Sequence, residues 1–244
     1  MADLAPSERQ SVSARTLALL GAFDERHPSL SLTELSKRAG MPLSTAHRLV
    51  SELTKWGALA RHQKSYVLGR RIAELGFLAP EAWLRRAALS HLLDLQTATR
   101  QAVHLAIRHD VNLVYLERLV SSASMPIRNL VGFARPIHTT GTGKVLLAHA
   151  PIEIQQEVLR RLFRVTPYTI TQPDRLNSEL EATRENGYAI SSQEMRLGFC
   201  SIAVPIIARG SVVGAIGIVV PNLTSELRLA AQLKDVSRSI TASL

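Results

Sequence analysis

The sequence predicts an α+β protein with a small, mostly helical N-terminal region and a larger region built on a mainly antiparallel sheet. Three observations support this class. Apolar residues mostly recur with the helical period of 3.6 up to about residue 98. From residue 101 the period falls to two, as in strands, and helical stretches separate the strand pairs. Apolar residues make up 46% of the 244 residues, enough for two ordinary domains.

The composition restricts the class of function. No apolar run reaches the ~20 residues that span a bilayer, and the first thirty residues lack the apolar segment of a signal peptide. The single cysteine, Cys200, excludes an intramolecular disulfide and favours the reducing cytoplasm. The net charge is +9, and the segment 31–71 alone has eight basic and two acidic residues. Such a concentration of positive charge is typical of a nucleic-acid contact.

The N-terminal region carries the signals of a helix-turn-helix unit. A first helix is expected over residues 13–25. Ser31 and Glu34 form the S-x-x-E pattern of a capping box at the start of the next helix. Gly40-Met41-Pro42 breaks that helix, and another is predicted over residues 43–56.

At 100° per residue, the helix 43–56 has apolar residues on one side and polar residues on the other. Ser, Thr, His and Arg near its N-terminus suit base edges, whereas Arg and Lys also bind phosphates. A hairpin wing with basic residues is predicted over residues 58–68. The expected DNA-binding residues are Ser44, Thr45, His47, Arg48, Ser51, Lys55, Arg61 and Lys64. A small helical subdomain with a solvated polar face is the alternative, which the wing and the clustered charge disfavour.

The stretch SLTELSKRAGMPLSTAHRLVSELTKWGALAR resembles the N-terminal winged helix of IclR-type bacterial transcriptional regulators. The leucine-rich helix, the Gly-hydrophobic-Pro turn and the S-T-x-x-R-L pattern of that family are all present. The resemblance covers nearly the whole chain. It implies a winged helix-turn-helix domain over residues 1–69, a linker helix over 70–80 and a GAF-like effector-binding and oligomerisation domain over 81–244.

The larger region alternates predicted strands and helices. The expected strands are 101–108, 112–118, 125–131, 188–192, 200–208 and 212–220, the last two joined by Arg209-Gly210-Ser211. The expected helices are 81–98, 140–149, 152–162, 173–186 and 225–242. Thr171 with Asp174 is expected to open the helix 173–186, and Gly187 to close it.

The stretch TTGTGKVLL, residues 139–147, has the glycines and lysine of a phosphate-binding loop but not its spacing, because the loop's first glycine and its final Ser or Thr are absent. The family resemblance implies instead that the amides of Gly141 and Thr142 hold an effector's carboxylate. A helix N-terminus can bind an anion in this way without a cationic side chain, so Lys144 is not expected to be a ligand. The alternative is that the glycines only allow the turn and close packing.

The sequence departs from the family at positions that face the ligand. Family members often carry Asp at Ser191 and Cys at Ser201, and keto-acid-sensing members have hydroxyls at Gly217 and Val219. The resemblance therefore implies a more apolar pocket and an aromatic or otherwise apolar carboxylate. The run Leu-Gly-x-x-Ser-Ile-Ala-Val-Pro is also similar to the branch that senses protocatechuate and hydroxybenzoates. The expected effector-binding residues are Ile127, Leu130, Phe133, Gly141, Thr142, Ser191, Ser201, Gly217 and Val219.

The sequence contains no persuasive catalytic or metal-ligand pattern, so no enzyme activity, metal or cofactor is expected. Cys200 lies in an apolar strand and is expected to be an inert, buried thiol. His138 is expected to make a structural hydrogen bond. Arg128 and Arg135 are expected to face solvent, with pairing to the effector as the alternative.

Together these features predict a cytoplasmic DNA-binding transcriptional regulator, favoured as a repressor. Its expected partners are double-stranded operator DNA, a small carboxylate effector and further copies of itself in a homodimer or homotetramer, without a membrane contact. Two alternatives remain at this point. One is an enzyme with an accessory DNA-binding domain, and the other is a non-specific DNA-binding protein without an effector.

Overall fold

The computed structural model describes residues 11–24, 26–120, 132 and 134–244, and the chain divides into two compact units that meet between Ala79 and Pro80. The boundaries of the DNA-binding domain at residue 69 and of the linker helix at residue 80 remain predictions. The expected strand 125–131 lies outside the described residues. No helix within the described ranges is long and apolar enough to cross a membrane.

The first unit consists of short helices and a small sheet. Its elements are α1 (Val12–Leu20), β1 (Ser29–Leu30), α2 (Leu32–Arg38), α3 (Leu43–Trp56), β2 (Leu59–His62), β3 (Ser65–Leu68) and α4 (Arg70–Gly76). The capping box is confirmed, because the Ser31 hydroxyl and the Glu34 carboxylate each bind the other's backbone N–H.

The expected helix 13–25 is too long at its C-terminus. It ends at Leu20, and the Asp24 carboxylate accepts hydrogen bonds from the N–H groups of Arg26 and His27, each 2.9 Å long. These bonds hold the chain in a turn in place of another helical turn.

The wing is an antiparallel hairpin in which His62 pairs with Ser65 across the turn Gln63-Lys64. A strand that the sequence did not predict, β1, pairs with β3 and completes a sheet of order β1-β3-β2 among the described residues. Two residues are too few for an alternating pattern, so periodicity could not detect this strand.

The second unit contains the larger sheet. Its elements are α5 (Pro80–Thr99), β4 (Ala102–His109), β5 (Asn112–Leu119), β6 (Ala134–Pro136), a 3₁₀ turn (Ile137–Thr139), α6 (Gly141–Ala148), α7 (Ile152–Arg160), α8 (Pro173–Asn186), β7 (Ala189–Ser192), β8 (Cys200–Ala208), β9 (Ser211–Val220) and α9 (Glu226–Ala242). In the described residues, the strand order is β6-β5-β4-β9-β8-β7 and every pairing is antiparallel. The expected α+β class with an antiparallel sheet is therefore confirmed.

Helices cover both faces of this sheet. Strand residues such as Leu105 and Ile216 pack with α5 and α9 on one face. Small residues such as Ala106 and Ala203 pack against α6, α7 and α8 on the other. Because side chains alternate between faces, the five described strands other than β6 each contribute to two separate cores.

The expected helix 173–186 is confirmed as α8, but the expected cap is wrong, because Thr171 does not open the helix. The residue before the helix is Gln172, which makes no side-chain capping bond, and Pro173 occupies the first turn. A proline there needs no N–H partner and already has a helical φ, so no capping threonine is required. Gly187 ends the helix in the left-handed conformation, as expected.

Candidate functional site

The outward face of α3 is polar and exposed. Ser44, His47 and Arg48 are exposed, and Thr45 is half-buried. Ser51 and Lys55 are also exposed. The opposite side of the helix is buried in the unit's core, through Ala46, Leu49, Val50 and Leu53. The core therefore fixes which face of α3 is free to meet another molecule.

Arg48 makes an ion pair with Glu52 one turn later, with 2.8 Å between the guanidinium and carboxylate atoms. Both side chains are more than half exposed, and exposed pairs of this type contribute less than about 1 kcal/mol. A DNA phosphate could therefore replace Glu52 as the partner of the Arg48 guanidinium with little loss of stability.

The wing presents Arg61 and Lys64 to solvent. The Arg61 Nε donates a 3.3 Å hydrogen bond to the Gln63 carbonyl within the turn. These two residues and the α3 face belong to the same unit, and contact with DNA remains a prediction for all of them.

A cavity of about 230 Å³ lies in the second unit, on the α6 face of the sheet. Its lining combines arginines, hydroxyls and apolar groups. The described lining residues are His104, Tyr115, Arg118, Arg135, Thr140, Thr142, Ser191, Met195, Arg196, Phe199, Cys200, Ser201, Gly217 and Val219.

The structure brings several predicted effector residues to this cavity. Thr142, Ser191, Ser201, Gly217 and Val219 line it together, although they come from α6 and three different strands. The expected apolar residues Ile127, Leu130 and Phe133 lie outside the described residues, as does Arg128. Effector binding by any of these residues stays a prediction.

The Gly141 amide, expected to hold a carboxylate, already has a partner. Its N–H donates a 3.0 Å hydrogen bond to the Ser201 Oγ. The Gly143 N–H likewise donates to the Thr140 hydroxyl at 3.0 Å. Two of the orphan amides at the start of α6 are thus satisfied by side chains of the protein itself.

Gly217 allows α6 to approach the sheet closely. A Cβ atom at this position would lie 2.9 Å from the Ala203 Cβ and 3.1 Å from the Thr142 Cγ2. Those distances are too short for ordinary packing. The glycine therefore belongs to the helix–sheet contact as well as to the cavity wall.

The cavity has a cationic side, of which the sequence indicated only Arg135, and only as an alternative. Arg118 on β5 and Arg135 on β6 both line it, and the Arg135 Nε is buried without a hydrogen-bond partner among the described residues. The expectation that Arg135 faces solvent is therefore wrong, because the side chain is half-buried in the cavity wall. The short strand β6 fixes the direction of the Arg135 side chain. A strand of three residues is too short for an alternating pattern to predict that direction.

Arg118 is held by His104 on the neighbouring strand. The Arg118 Nε donates a 3.3 Å hydrogen bond to the His104 Nε2, and the guanidinium lies 5.3 Å from the centre of the Tyr115 ring. Burial, together with the Arg118 charge, lowers the pKa of His104 to about 3. The imidazole is neutral at physiological pH, and the accepting Nε2 assigns its ring hydrogen to Nδ1.

A β-bulge explains why the alternating pattern of the strand did not place Arg118 at the cavity. Tyr115 and Arg118 are three residues apart, so strict alternation would place them on opposite faces. The register shifts by one residue at Leu116, and His104 then pairs with Arg118 while Ala106 pairs with Tyr115. Both side chains consequently face the cavity.

Lys144 lies on another side of α6. Its Nζ contacts the carboxylates of Glu179 and Glu194 at 2.7 and 2.6 Å and the Ile190 carbonyl at 3.0 Å. The side chain is almost wholly buried among these groups and does not line the cavity. Its role is structural.

The remaining chemistry-bearing residues show no catalytic arrangement within the described ranges. The His138 Nε2 lies 3.1 Å from the Phe163 carbonyl oxygen, in agreement with a structural hydrogen bond. The expected burial of Cys200 is wrong, because this residue is half-buried at the cavity wall, with its Sγ 3.5 Å from the Ser192 hydroxyl. No group of three or more metal-ligating residues in the described part of the chain could hold a metal ion.

Family models match both units. Residues 13–63 match the IclR helix-turn-helix domain, and residues 79–242 match the model described as bacterial transcriptional regulator IclR C-terminal. Together the two matches cover most of the chain.

Curated relatives are similar over most of their length. The HTH-type transcriptional regulator KdgR of Dickeya chrysanthemi is 31% identical over 99% of this chain and 82% of its own. The p-hydroxybenzoate hydroxylase transcriptional activator of Acinetobacter baylyi is 32% identical over 83% of this chain and 78% of its own.

A solved structure shares the fold closely. It is an IclR homolog from Microbacterium hydrocarbonoxydans in complex with 4-hydroxybenzoate. It aligns with a TM-score of 0.91 at 31% identity, over 96% of this chain and 99% of that one.

Proposed function

The chain belongs to the IclR family of bacterial transcriptional regulators, and we propose that it binds operator DNA under the control of an aromatic carboxylate. The ligand would occupy the cavity in the second unit. Its binding energy would shift the protein between an arrangement that binds the operator and one that does not. Such control requires the ligand to bind one arrangement more tightly than the other.

The DNA-reading surface in this proposal is the exposed face of α3 with the tip of the wing. Ser44, Thr45 and His47 lie near the N-terminus of α3, where side chains of a recognition helix reach base edges. Arg48, Ser51, Lys55, Arg61 and Lys64 would bind phosphates and fix the orientation on the duplex. The high local positive charge supports this assignment.

One observation supports a carboxylate as the effector. Three arginines line the cavity and no Asp or Glu does so among the described residues. Arginine stays charged at all physiological pH values, and a buried charge is costly unless it is paired. A carboxylate ligand would supply the missing negative charge through bidentate hydrogen bonds.

The size and walls of the cavity favour an aromatic acid. An engineered cavity of about 150 Å³ suffices for benzene, so about 230 Å³ accommodates a ring with a carboxylate. Tyr115, Phe199 and Val219 offer apolar surface for that ring. The complex of the Microbacterium homolog with 4-hydroxybenzoate supports the same class, as does the Acinetobacter relative, a transcriptional activator of p-hydroxybenzoate hydroxylase.

We propose repression as the mode of control, with the ligand weakening operator binding, and a homodimer or homotetramer in the cytoplasm as the working form. Paired half-sites in an operator match the symmetry of such an oligomer. Size-exclusion chromatography with light scattering measures this directly, and a monomer at micromolar concentration would exclude it.

A thermal-shift screen with aromatic, aliphatic and short keto acids tests the effector class. Aromatic acids are expected to raise the melting temperature, because a ligand that binds only the folded state stabilises it. Stabilisation by short keto acids alone would refute the aromatic class.

A gel-shift series with the DNA upstream of the protein's own gene, at two salt concentrations, tests the DNA function. A sequence-specific complex should survive moderate salt and competition by unrelated DNA. Equal retardation of every sequence, lost at modest salt, would indicate a non-specific DNA-binding protein.

A further inference from the structure

We propose that Arg118 and Arg135 form the binding site for the effector's carboxylate, and that Ser201, across the sheet, receives an uncharged oxygen substituent of the same ligand. This assignment rests on the proposed function, and it goes further by fixing the direction in which the ligand lies. It places the anion on side chains, and not on the amides at the start of α6.

The strand order gives the cavity two chemically different ends. Arg118 and Arg135 lie on β5 and β6, whereas Ser201 lies on β8, with β4 and β9 between them. Neighbouring strands are about 4.8 Å apart, so β5 and β8 are separated by about 14 Å. The long arginine side chains shorten this gap to the length of a substituted aromatic ring.

No described residue supplies a counter-ion to the arginine end of the cavity. The Arg135 Nε is buried without a hydrogen-bond partner among the described residues. Burial lowers the pKa of Arg118, with the neighbouring Arg135 charge adding to the effect. Two guanidinium groups at one end of a cavity repel each other. An anion between them would remove both the repulsion and the unsatisfied donor.

His104 acts as a positioning residue for this site. Its neutral imidazole accepts the hydrogen bond from the Arg118 Nε, so the two terminal nitrogens of that guanidinium remain available. A guanidinium held in this way presents a fixed fork to a carboxylate. The Tyr115 ring, 5.3 Å away, supports the guanidinium from the side.

The other end of the cavity can donate a hydrogen bond. The Ser201 Oγ accepts the Gly141 N–H, and no described residue accepts the hydroxyl hydrogen of Ser201. The Ser191 hydroxyl, in contrast, already donates to the Thr139 carbonyl at 2.8 Å. Ser201 is therefore the donor for a phenol or ether oxygen, and the preferred ligand is a benzoate with an oxygen substituent opposite its carboxylate.

Isothermal titration calorimetry with the full-length protein tests the assignment. The probes are 4-hydroxybenzoate, its neutral analogue 4-hydroxybenzamide, and benzoate. Arg118→Gln and Arg135→Gln should each weaken 4-hydroxybenzoate binding roughly tenfold or more, since a charged hydrogen bond is lost, while amide binding changes little. Arg161→Gln is the matched control, because this arginine is exposed, pairs with Glu157 and does not line the cavity.

Ser201→Ala should remove the preference for 4-hydroxybenzoate over benzoate and leave benzoate binding unchanged. If the glutamine variants do not fold, Arg118→Lys and Arg135→Lys replace them. Lysine keeps the charge but lacks the bidentate geometry of a guanidinium, so these variants should still bind 4-hydroxybenzoate more weakly.

The assignment is overturned if the Arg118 and Arg135 variants keep the wild-type preference for the acid over the amide. It is also overturned if Arg161→Gln has an equal effect. If the wild-type protein binds none of the three probes or any other carboxylate in the thermal-shift screen, the proposed function itself fails.

Discussion

The Nζ of Lys144 lies 2.6 Å from the Oε1 of Glu194, and the two side chains are only 1% and 6% exposed. Lys144 belongs to α6, whose first turn borders the cavity, and Glu194 lies between β7 and β8 next to Met195 and Arg196 of the cavity wall. The ion pair therefore joins the helix at the cavity to the loop at its rim. Glu179 from α8 completes the cluster.

Replacement of Lys144 by Met is expected to destabilise the protein by about 3–5 kcal/mol, because Glu194 would keep a buried charge without its partner. Burial already raises the pKa of Glu194, and its Oε2 has no hydrogen-bond partner among the described residues. The free energy of unfolding in urea measures the effect. The second substitution Glu194→Gln should restore part of the loss.

Arg238→Met is the control for this experiment, since Arg238 and Asp235 form an exposed pair within α9. Its expected effect is below about 1 kcal/mol. Equal effects of the buried and exposed substitutions would show that the buried cluster contributes no more than a surface pair.

Gly143→Ala is expected to destabilise the protein by more than about 3 kcal/mol or to prevent folding. A Cβ at this position would lie 1.9 Å from the Ile137 backbone oxygen, which cannot move without displacing the 3₁₀ turn. Gly76→Ala is the matched control, because nothing lies within 4 Å of its Cβ and alanine favours the helix. Thermal unfolding of both variants compares them, and similar melting temperatures would contradict the packing argument.

The sequence predicted elements where several local signals agree. The Ser31–Glu34 capping box and the α3 stripe each combine a characteristic residue pattern with a hydrophobic period, and the structure contains both. The α+β class followed from the change of period at residue 101.

Features that depend on tertiary contacts were not predictable in this way. The bulge at Leu116 reverses the alternation along β5 and brings Arg118 into the cavity. Arg135 lies on a three-residue strand. The Ser201 contact that occupies the Gly141 amide joins residues 60 positions apart, and no local pattern encodes it.

The pH dependence of stability should reveal the neutral His104. Its pKa in the folded protein is about 3, below the ordinary 6.5, so the unfolded state binds an extra proton between these values. The stability that His104 provides is complete above pH 6.5 and is lost as the pH falls towards 3. The loss is about 1.4 kcal/mol per pH unit, or about 2 kcal/mol at pH 5.

The His104→Gln variant keeps a hydrogen-bond acceptor but cannot titrate in this range. The free energy of unfolding in urea should therefore be compared at pH 7.5 and pH 5. Between these values the wild type should lose about 2 kcal/mol more than the variant. Parallel pH profiles would mean that His104 is not held neutral by burial.

Arg48→Ala is expected to weaken operator binding while leaving effector affinity unchanged. If Arg48 contacts a phosphate, the slope of log affinity against log salt should fall by about one. The Arg161–Glu157 pair on the second unit has the same i, i+4 exposed geometry, so Arg161→Ala is a matched control. Unchanged operator affinity would remove Arg48 from the DNA-binding face.

The most direct test of ligand control is the operator affinity of the full-length protein, measured by fluorescence anisotropy with and without saturating 4-hydroxybenzoate. The ligand is expected to weaken operator binding by about fivefold or more, which is the usual range of coupling between two sites. The Arg118→Gln variant should need a roughly tenfold higher concentration of the same ligand for the same effect. If operator affinity is identical with and without every carboxylate that binds the protein, the cavity does not control DNA binding.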